Sequence, residues 1–156
     1  MYPLSHFLLP FFIGEIFVEF GSFNHWMALF AALIGTFIDI DHLIEYIVRH
    51  KEVSVLHAWN AAVVKHESER SFIHHQLGYF LVTGIVIILF FTDIIVFGIV
   101  AIGYYSHMLL DAPDPFKMKK VKFITLKEAG FVVKLPRYEL ILDILLAVGI
   151  VLLFVF

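Results

Sequence analysis

The residues of this chain that could carry chemistry are its nine histidines and a few aspartates, and it contains no cysteine. Without cysteine there can be no disulfide, thiolate zinc ligand or cysteine nucleophile, so imidazole and carboxylate groups would have to hold any metal. The best-spaced pair is His107 and Asp111. Residues four apart lie on one face of a helix, so these two side chains would point the same way, as two ligands of one ion do.

Further ligands are expected just after the apolar segment at residues 20–38. Asp39 and His42 are three residues apart and would also share a helix face. Asp41 would point away from Asp39, so we place it among the catalytic residues beside the ligands, as a partner that orients them.

A third segment adds one ligand and one cation. His74 and His75 diverge by about 100° on a helix, so one of them, taken as His74, is expected to point into the site. Arg70 precedes them. Its planar guanidinium could bind phosphate oxygens in catalysis, and a basic anchor at a membrane surface is an equally good explanation.

The composition is that of a membrane protein. Of 156 residues, 61% are hydrophobic and 16% charged, and the mean hydropathy is +0.92, whereas apolar residues make up roughly half of a soluble domain. We expect one domain over residues 1–156. The net charge of −3 gives no reason to expect nucleic-acid binding. The N-terminus lacks a basic region and a small-residue cleavage site, so the first apolar segment is expected to be retained.

Apolar segments predict an all-α membrane bundle of about five transmembrane helices, at residues 4–20, 20–38, 71–91, 94–110 and 138–156. Three stretches without Asp, Glu, Lys or Arg, at residues 20–38, 76–92 and 94–110, have about the length that a helix needs to cross a bilayer core of about 30 Å. A surface helix is expected at 53–64 in the first polar region. The second polar region, at 112–137, predicts a small polar loop or hairpin.

The placement of charge predicts the orientation of the bundle. All eleven Lys and Arg residues lie in the two polar regions, so these regions are expected to be cytoplasmic. The candidate ligands then lie at the cytoplasmic ends of four helices: His6, Asp39, His42, His74, His107 and Asp111. Because ionisable groups in apolar segments usually face a bundle interior, this convergence predicts a metal site.

The motifs resemble those of a family of membrane-bound, metal-dependent hydrolases that includes the LexA-binding inner-membrane hydrolases. That family has an N-terminal His, then Pro-Asp-x-Asp-His, His-Arg-Gly-x-Thr-His-Ser and Gly-Tyr-x-x-His-x-x-x-Asp. Similar segments occur here, in the same order, at His6, 38–42, 69–75 and 103–111. The resemblance implies an integral inner-membrane hydrolase.

Glu69 stands where that family has the first His of its third motif. His66 or His75 would then replace this ligand, or one ion would be lost. The His-x-x-x-Asp motif is also similar to that of zinc-dependent phospholipases C, which suggests phosphoester chemistry by analogy.

One or two divalent ions in such a site would activate water and stabilise charge on an attacked ester. Zinc suits the mixed nitrogen and oxygen ligands, with manganese and iron as alternatives. Membrane lipids and a small lipid-like or phosphorylated substrate are the expected partners. Three other functions fit some of the same residues: a metal-ion transporter or sensor, a bis-histidine haem protein, which would leave the aspartates unexplained, and a non-catalytic membrane anchor with a structural metal.

Overall fold

The computed structural model describes residues 3–60, 75–111, 123–128 and 131–155, which form a helical fold with one β-hairpin. The helices are α1 (Pro3–Glu19), α2 (His25–Phe37), α3 (Ile40–His50), α4 (Val55–Asn60), α5 (Gln76–Thr92), α6 (Ile94–Leu110) and α7 (Arg137–Val155). Strands β1 (Phe123–Glu128) and β2 (Phe131–Pro136) pair in an antiparallel sheet. In their register Phe123 lies opposite Pro136 at one end and Glu128 lies opposite Phe131 at the other. The helical fold and the hairpin in the second polar region are confirmed.

Helix α1 is central and packs against α2, α6 and α7, while α6 also packs against α2 and α5. Glycines allow these backbones to approach closely. A Cβ on Gly14 would lie 2.7 Å from Ala28, and one on Gly103 would lie 2.7 Å from the Ala31 carbonyl oxygen. Such contacts through small residues are typical of helix pairs in membranes.

Contacts along the bundle determine which helix ends meet. The Ser5 hydroxyl, near the start of α1, donates to Glu139 near the start of α7. At the other end, His25, which follows α1, stacks on Phe154 near the end of α7. Helices α1 and α7 are therefore parallel, and both begin at the same end of the bundle.

Two helix boundaries differ from the sequence predictions. Helix α2 ends at Phe37, and Ile38 and Asp39 form a turn before α3, so Asp39 does not lie on a continuous second helix. The chain changes here from a helix that is apolar on most sides to one that is apolar on one face. Helix α5 begins at Gln76, with an extended His75 as its N-cap residue, instead of beginning after Ser71.

Helix α7 is long and apolar enough to cross a membrane, and it is the one such helix in the described parts of the chain. Its outer side chains are exposed, including Leu145 at 64%. Helices α2, α5 and α6 are apolar but shorter. Helix length thus supports one crossing, and the predicted bundle of five crossings is not confirmed.

Candidate metal centre

Four of the predicted ligands meet at the end of the bundle where α1 begins and α6 ends: His6, Asp39, His107 and Asp111. Each offers one ligand atom, and these atoms all lie within 4.8 Å of one another. Both imidazoles are fully buried, whereas the carboxylate side chains of Asp39 and Asp111 are 25% and 20% exposed. The group could hold a metal ion, with its carboxylate side toward the surface.

The spacing of the donor atoms suits coordination. Nε2 of His6 lies 3.2 Å from Asp111 Oδ1 and 3.8 Å from Asp39 Oδ2. Nε2 of His107 lies 3.3 Å from Asp111 Oδ2 and 3.6 Å from Asp39 Oδ1. Two atoms that each lie about 2.1 Å from a tetrahedral ion are about 3.4 Å apart. The four separations bracket that value.

Each carboxylate also contacts both histidines through different oxygens. Asp111 presents Oδ1 to His6 and Oδ2 to His107, and Asp39 presents Oδ2 to His6 and Oδ1 to His107. One ion bound between the four groups would fit this arrangement. The two negative charges would balance one divalent ion, and imidazole with carboxylate is a donor set that suits zinc.

Helix α2 holds the His107 ring in a defined orientation. Nδ1 of His107 lies 2.7 Å from the carbonyl oxygen of Gly35. Because a carbonyl can only accept, Nδ1 carries the hydrogen, and in the neutral ring it is then Nε2 that offers its lone pair to the cluster. Gly35 lies in the last turn of α2, and its carbonyl oxygen can accept a hydrogen bond from another helix. Donation from the far nitrogen of a metal-binding imidazole to a carbonyl is a common way to orient the ligand.

His6 is held differently. In the part of the chain that the structure describes, neither of its buried ring nitrogens has a hydrogen-bond partner. Its ring stacks on that of His107, with centroids 4.1 Å apart. A buried imidazole without a hydrogen bond is costly, and coordination of an ion would satisfy the Nε2 that faces the two carboxylates.

Gly35 also brings three helices together beneath the cluster. A Cβ at this position would lie 2.8 Å from the His6 carbonyl oxygen, 2.9 Å from Pro10 Cγ and 3.2 Å from the Gly103 carbonyl oxygen. Pro10 has no N–H to bond the His6 carbonyl within α1. A side chain at position 35 would therefore push α1 and α6 away from α2 and separate the ligands.

The other predicted site residues cannot be placed against this cluster. The side chains of Asp41 and His42, on α3, lie outside the described parts of the chain. The same is true of Arg70 and His74, and of Glu69 and the residue His66 that could replace the ligand missing there. Their roles stay predictions. His75 is described but is not a member of the four-residue group. It lines an open groove between α5 and α6 with Gln76, Tyr79, Phe80 and Met108.

Sequence reasoning assigned no role to several polar groups next to the cluster. Ser5 precedes His6 and is fully buried, and Glu139 and Asp143 on α7 are 1% and 6% exposed. The Ser5 hydroxyl donates to Glu139 Oε1 over 2.9 Å. The sequence did offer one indication of their burial: Glu139 and Asp143 are one turn apart in an apolar segment, and ionisable groups in such segments usually face a bundle interior. The contact with Ser5 depends on packing between α1 and α7.

Comparisons of the chain with protein-family models, curated proteins and solved structures found no match.

Proposed function

We propose that the protein is a membrane-bound, metal-dependent hydrolase that acts on a phosphoester of a lipid or of another substrate at the membrane surface. The observation that carries this proposal is the meeting of two imidazoles and two carboxylates within 4.8 Å, with His107 oriented through Gly35. Zinc is the proposed ion, with manganese and iron as alternatives and one or two ions as the stoichiometry.

A divalent ion held here would supply Lewis-acid activation of water and of the ester. The chain's own residues have separate tasks. His6 and His107 provide buried nitrogen ligands, and Asp39 and Asp111 provide charge on the side that is partly exposed. A closed structural site is surrounded by protein, whereas a catalytic site keeps a position open to solvent. The exposure of the two carboxylates favours the catalytic alternative, and Arg70 is proposed to bind the phosphate.

Two observations support an integral membrane location. Helix α7 has the length and composition of a membrane-spanning helix, and large apolar side chains on the outer faces of α5 and α7 are exposed, such as Phe80, Phe91 and Leu152. Contiguous apolar surface of this kind is rare on soluble monomers. The confinement of Lys and Arg to two polar regions would place the metal centre at the cytoplasmic side by the positive-inside rule.

The experiment that tests this function combines metal analysis with hydrolysis. Protein purified in detergent is loaded with zinc, dialysed, analysed for metal, and assayed for phosphate release from phospholipids and polyprenyl phosphates. The wild type should retain metal and hydrolyse a phosphoester, and His107→Ala should lose both. His57→Ala is the matched control, because His57 is an exposed histidine whose Nδ1 contacts Glu52. Metal retention without hydrolysis of any substrate would favour the structural anchor.

Transport of a cation is the second candidate, and buried carboxylates further along the bundle favour it. Asp143 Oδ1 and Glu15 Oε1 are buried and have no hydrogen-bond partner among the described residues. Glu15 Oε2 contacts His25 Nδ1 at 2.8 Å, at the end of the bundle opposite the metal centre. Acidic groups inside a bundle often mark ion pathways. Zinc-dependent fluorescence of a dye inside proteoliposomes distinguishes the candidates, because a transporter fills the vesicles and a hydrolase does not.

A further inference from the structure

Helix α3 has an apolar face that no other described element covers. Ile40, Ile44 and Val48 recur at a spacing of four residues and are 45%, 55% and 70% exposed. Leu43 and Ile47 adjoin them on the same stripe. Among the described elements, α3 packs mainly against the short helix α4. Three large aliphatic side chains on one helix face are therefore largely exposed in this part of the chain.

The rest of α3 is polar. Glu45 and Arg49 form an ion pair one turn apart, with 2.7 Å between Oε1 and Nη2. The Tyr46 ring packs on that of His50, with centroids 4.5 Å apart. Lys51 then ends the helix in a left-handed conformation. A helix with one strongly apolar face, one charged face and basic residues at its end has the character of a helix that lies in a membrane surface.

The position of α3 in the fold points to the same surface. The helix begins at Ile40, directly after the metal-centre residue Asp39, and thus at the end of the bundle where α1 and α7 begin. A helix that starts there and lies flat would place its aliphatic face against the acyl chains and Arg49 and Lys51 beside the phosphate groups.

We infer that α3 lies in the membrane surface on the metal-centre side, with Ile40, Ile44 and Val48 in the acyl boundary of the leaflet and its charged face in water. The inference rests on the proposed membrane location and goes beyond it, because it assigns a lipid surface as the partner of α3. It also places the metal centre beside the headgroups, so a lipid phosphoester could reach the exposed carboxylates without leaving the leaflet.

The absence of cysteine from the chain makes a direct test available. Single cysteines at Ile44 and Val48, and at Tyr46 and Arg49 as controls on the polar face, are labelled with a nitroxide. The full-length variants are reconstituted into vesicles of zwitterionic and anionic phospholipid. Collision of each label with oxygen, which concentrates in lipid, and with a water-soluble nickel chelate is then measured. Leu145→Cys on α7 serves as the reference for a lipid-facing position.

We expect the ratio of oxygen to nickel collisions to be several-fold higher at positions 44 and 48 than at 46 and 49, and to approach that at 145. Equal ratios on the two faces would overturn the inference. So would exclusion of both reagents from 44 and 48, which would indicate that protein covers this face. Either of these results with a lipid-exposed label at 145 would leave the membrane location intact, whereas a water-exposed label at 145 would refute that location itself.

Discussion

Nδ1 of His107 donates to the carbonyl oxygen of Gly35 over 2.7 Å, a bond that joins α6 to the last turn of α2. The bond orients one buried ligand of the proposed metal centre. Gly35 lies in the last turn of α2, which ends at Phe37, and its carbonyl oxygen has two lone pairs with which it can accept from another helix. The turn that follows then brings Asp39 to the same cluster.

Gly35→Ala should weaken both the fold and metal binding. The new Cβ would lie 2.8 Å from the His6 carbonyl oxygen and 2.9 Å from Pro10 Cγ, so α1 would have to move and carry His6 with it. Overpacking of this kind typically costs about 1–3 kcal/mol. Thermal unfolding by circular dichroism and zinc titration measure the two effects.

Gly84→Ala is the matched control for that change. Gly84 lies within α5, and a Cβ there would meet nothing within 4 Å. Alanine is favoured over glycine inside a helix by roughly 0.5–1 kcal/mol, so the control should unfold at the same or a higher temperature and bind zinc normally. If both variants bind zinc as the wild type does, close packing at Gly35 is not needed for the site.

Zinc should raise the unfolding temperature of the wild type and leave that of His6→Ala nearly unchanged. A ligand that binds only the folded state stabilises it by about 2.7 kcal/mol at a concentration 100 times its Kd. His57→Ala, which alters an exposed histidine, should respond to zinc like the wild type. An equal zinc response in His6→Ala would remove His6 from the ligand set.

Asp111→Asn should lower zinc affinity at least about tenfold, since even changes outside the first coordination shell cost 10–100-fold. The amide keeps the shape of the side chain but removes the charge that faces both histidines. Asp93→Asn is a control with the same chemistry at the opposite end of α6, where the Asp93 side chain accepts from the N–H groups of Ile95 and Val96. Isothermal titration of metal-free protein compares them.

Ser5→Ala should destabilise the bundle by about 1–3 kcal/mol, the usual range when a buried hydrogen bond loses one partner. The change removes the bond that Glu139 accepts from α1. Ser22→Ala, at an exposed serine in the turn before α2, should have little effect. Denaturant unfolding in detergent micelles gives both values, and equal stability of the two variants would mean that this bond contributes nothing measurable.

Much of the candidate site was predictable because its signals are local. The spacing of His107 and Asp111 is a property of one helix, and a period of 3.6 residues is enough to place them on one face. The absence of cysteine limited the donors to imidazole and carboxylate. The alternation of apolar residues in the second polar region likewise predicted the hairpin that β1 and β2 form.

The contacts between helices could be learned only from the tertiary structure. That His6 stacks on His107, that Gly35 supplies the carbonyl and that Ser5 bonds Glu139 all depend on which helix faces touch and at what height. Hydrophobic periodicity carries no such information in segments that are apolar on nearly every side, because any face of them could be buried. Which faces touch is determined by the small residues, which allow close approach of the helix backbones, and by the position at which α2 ends.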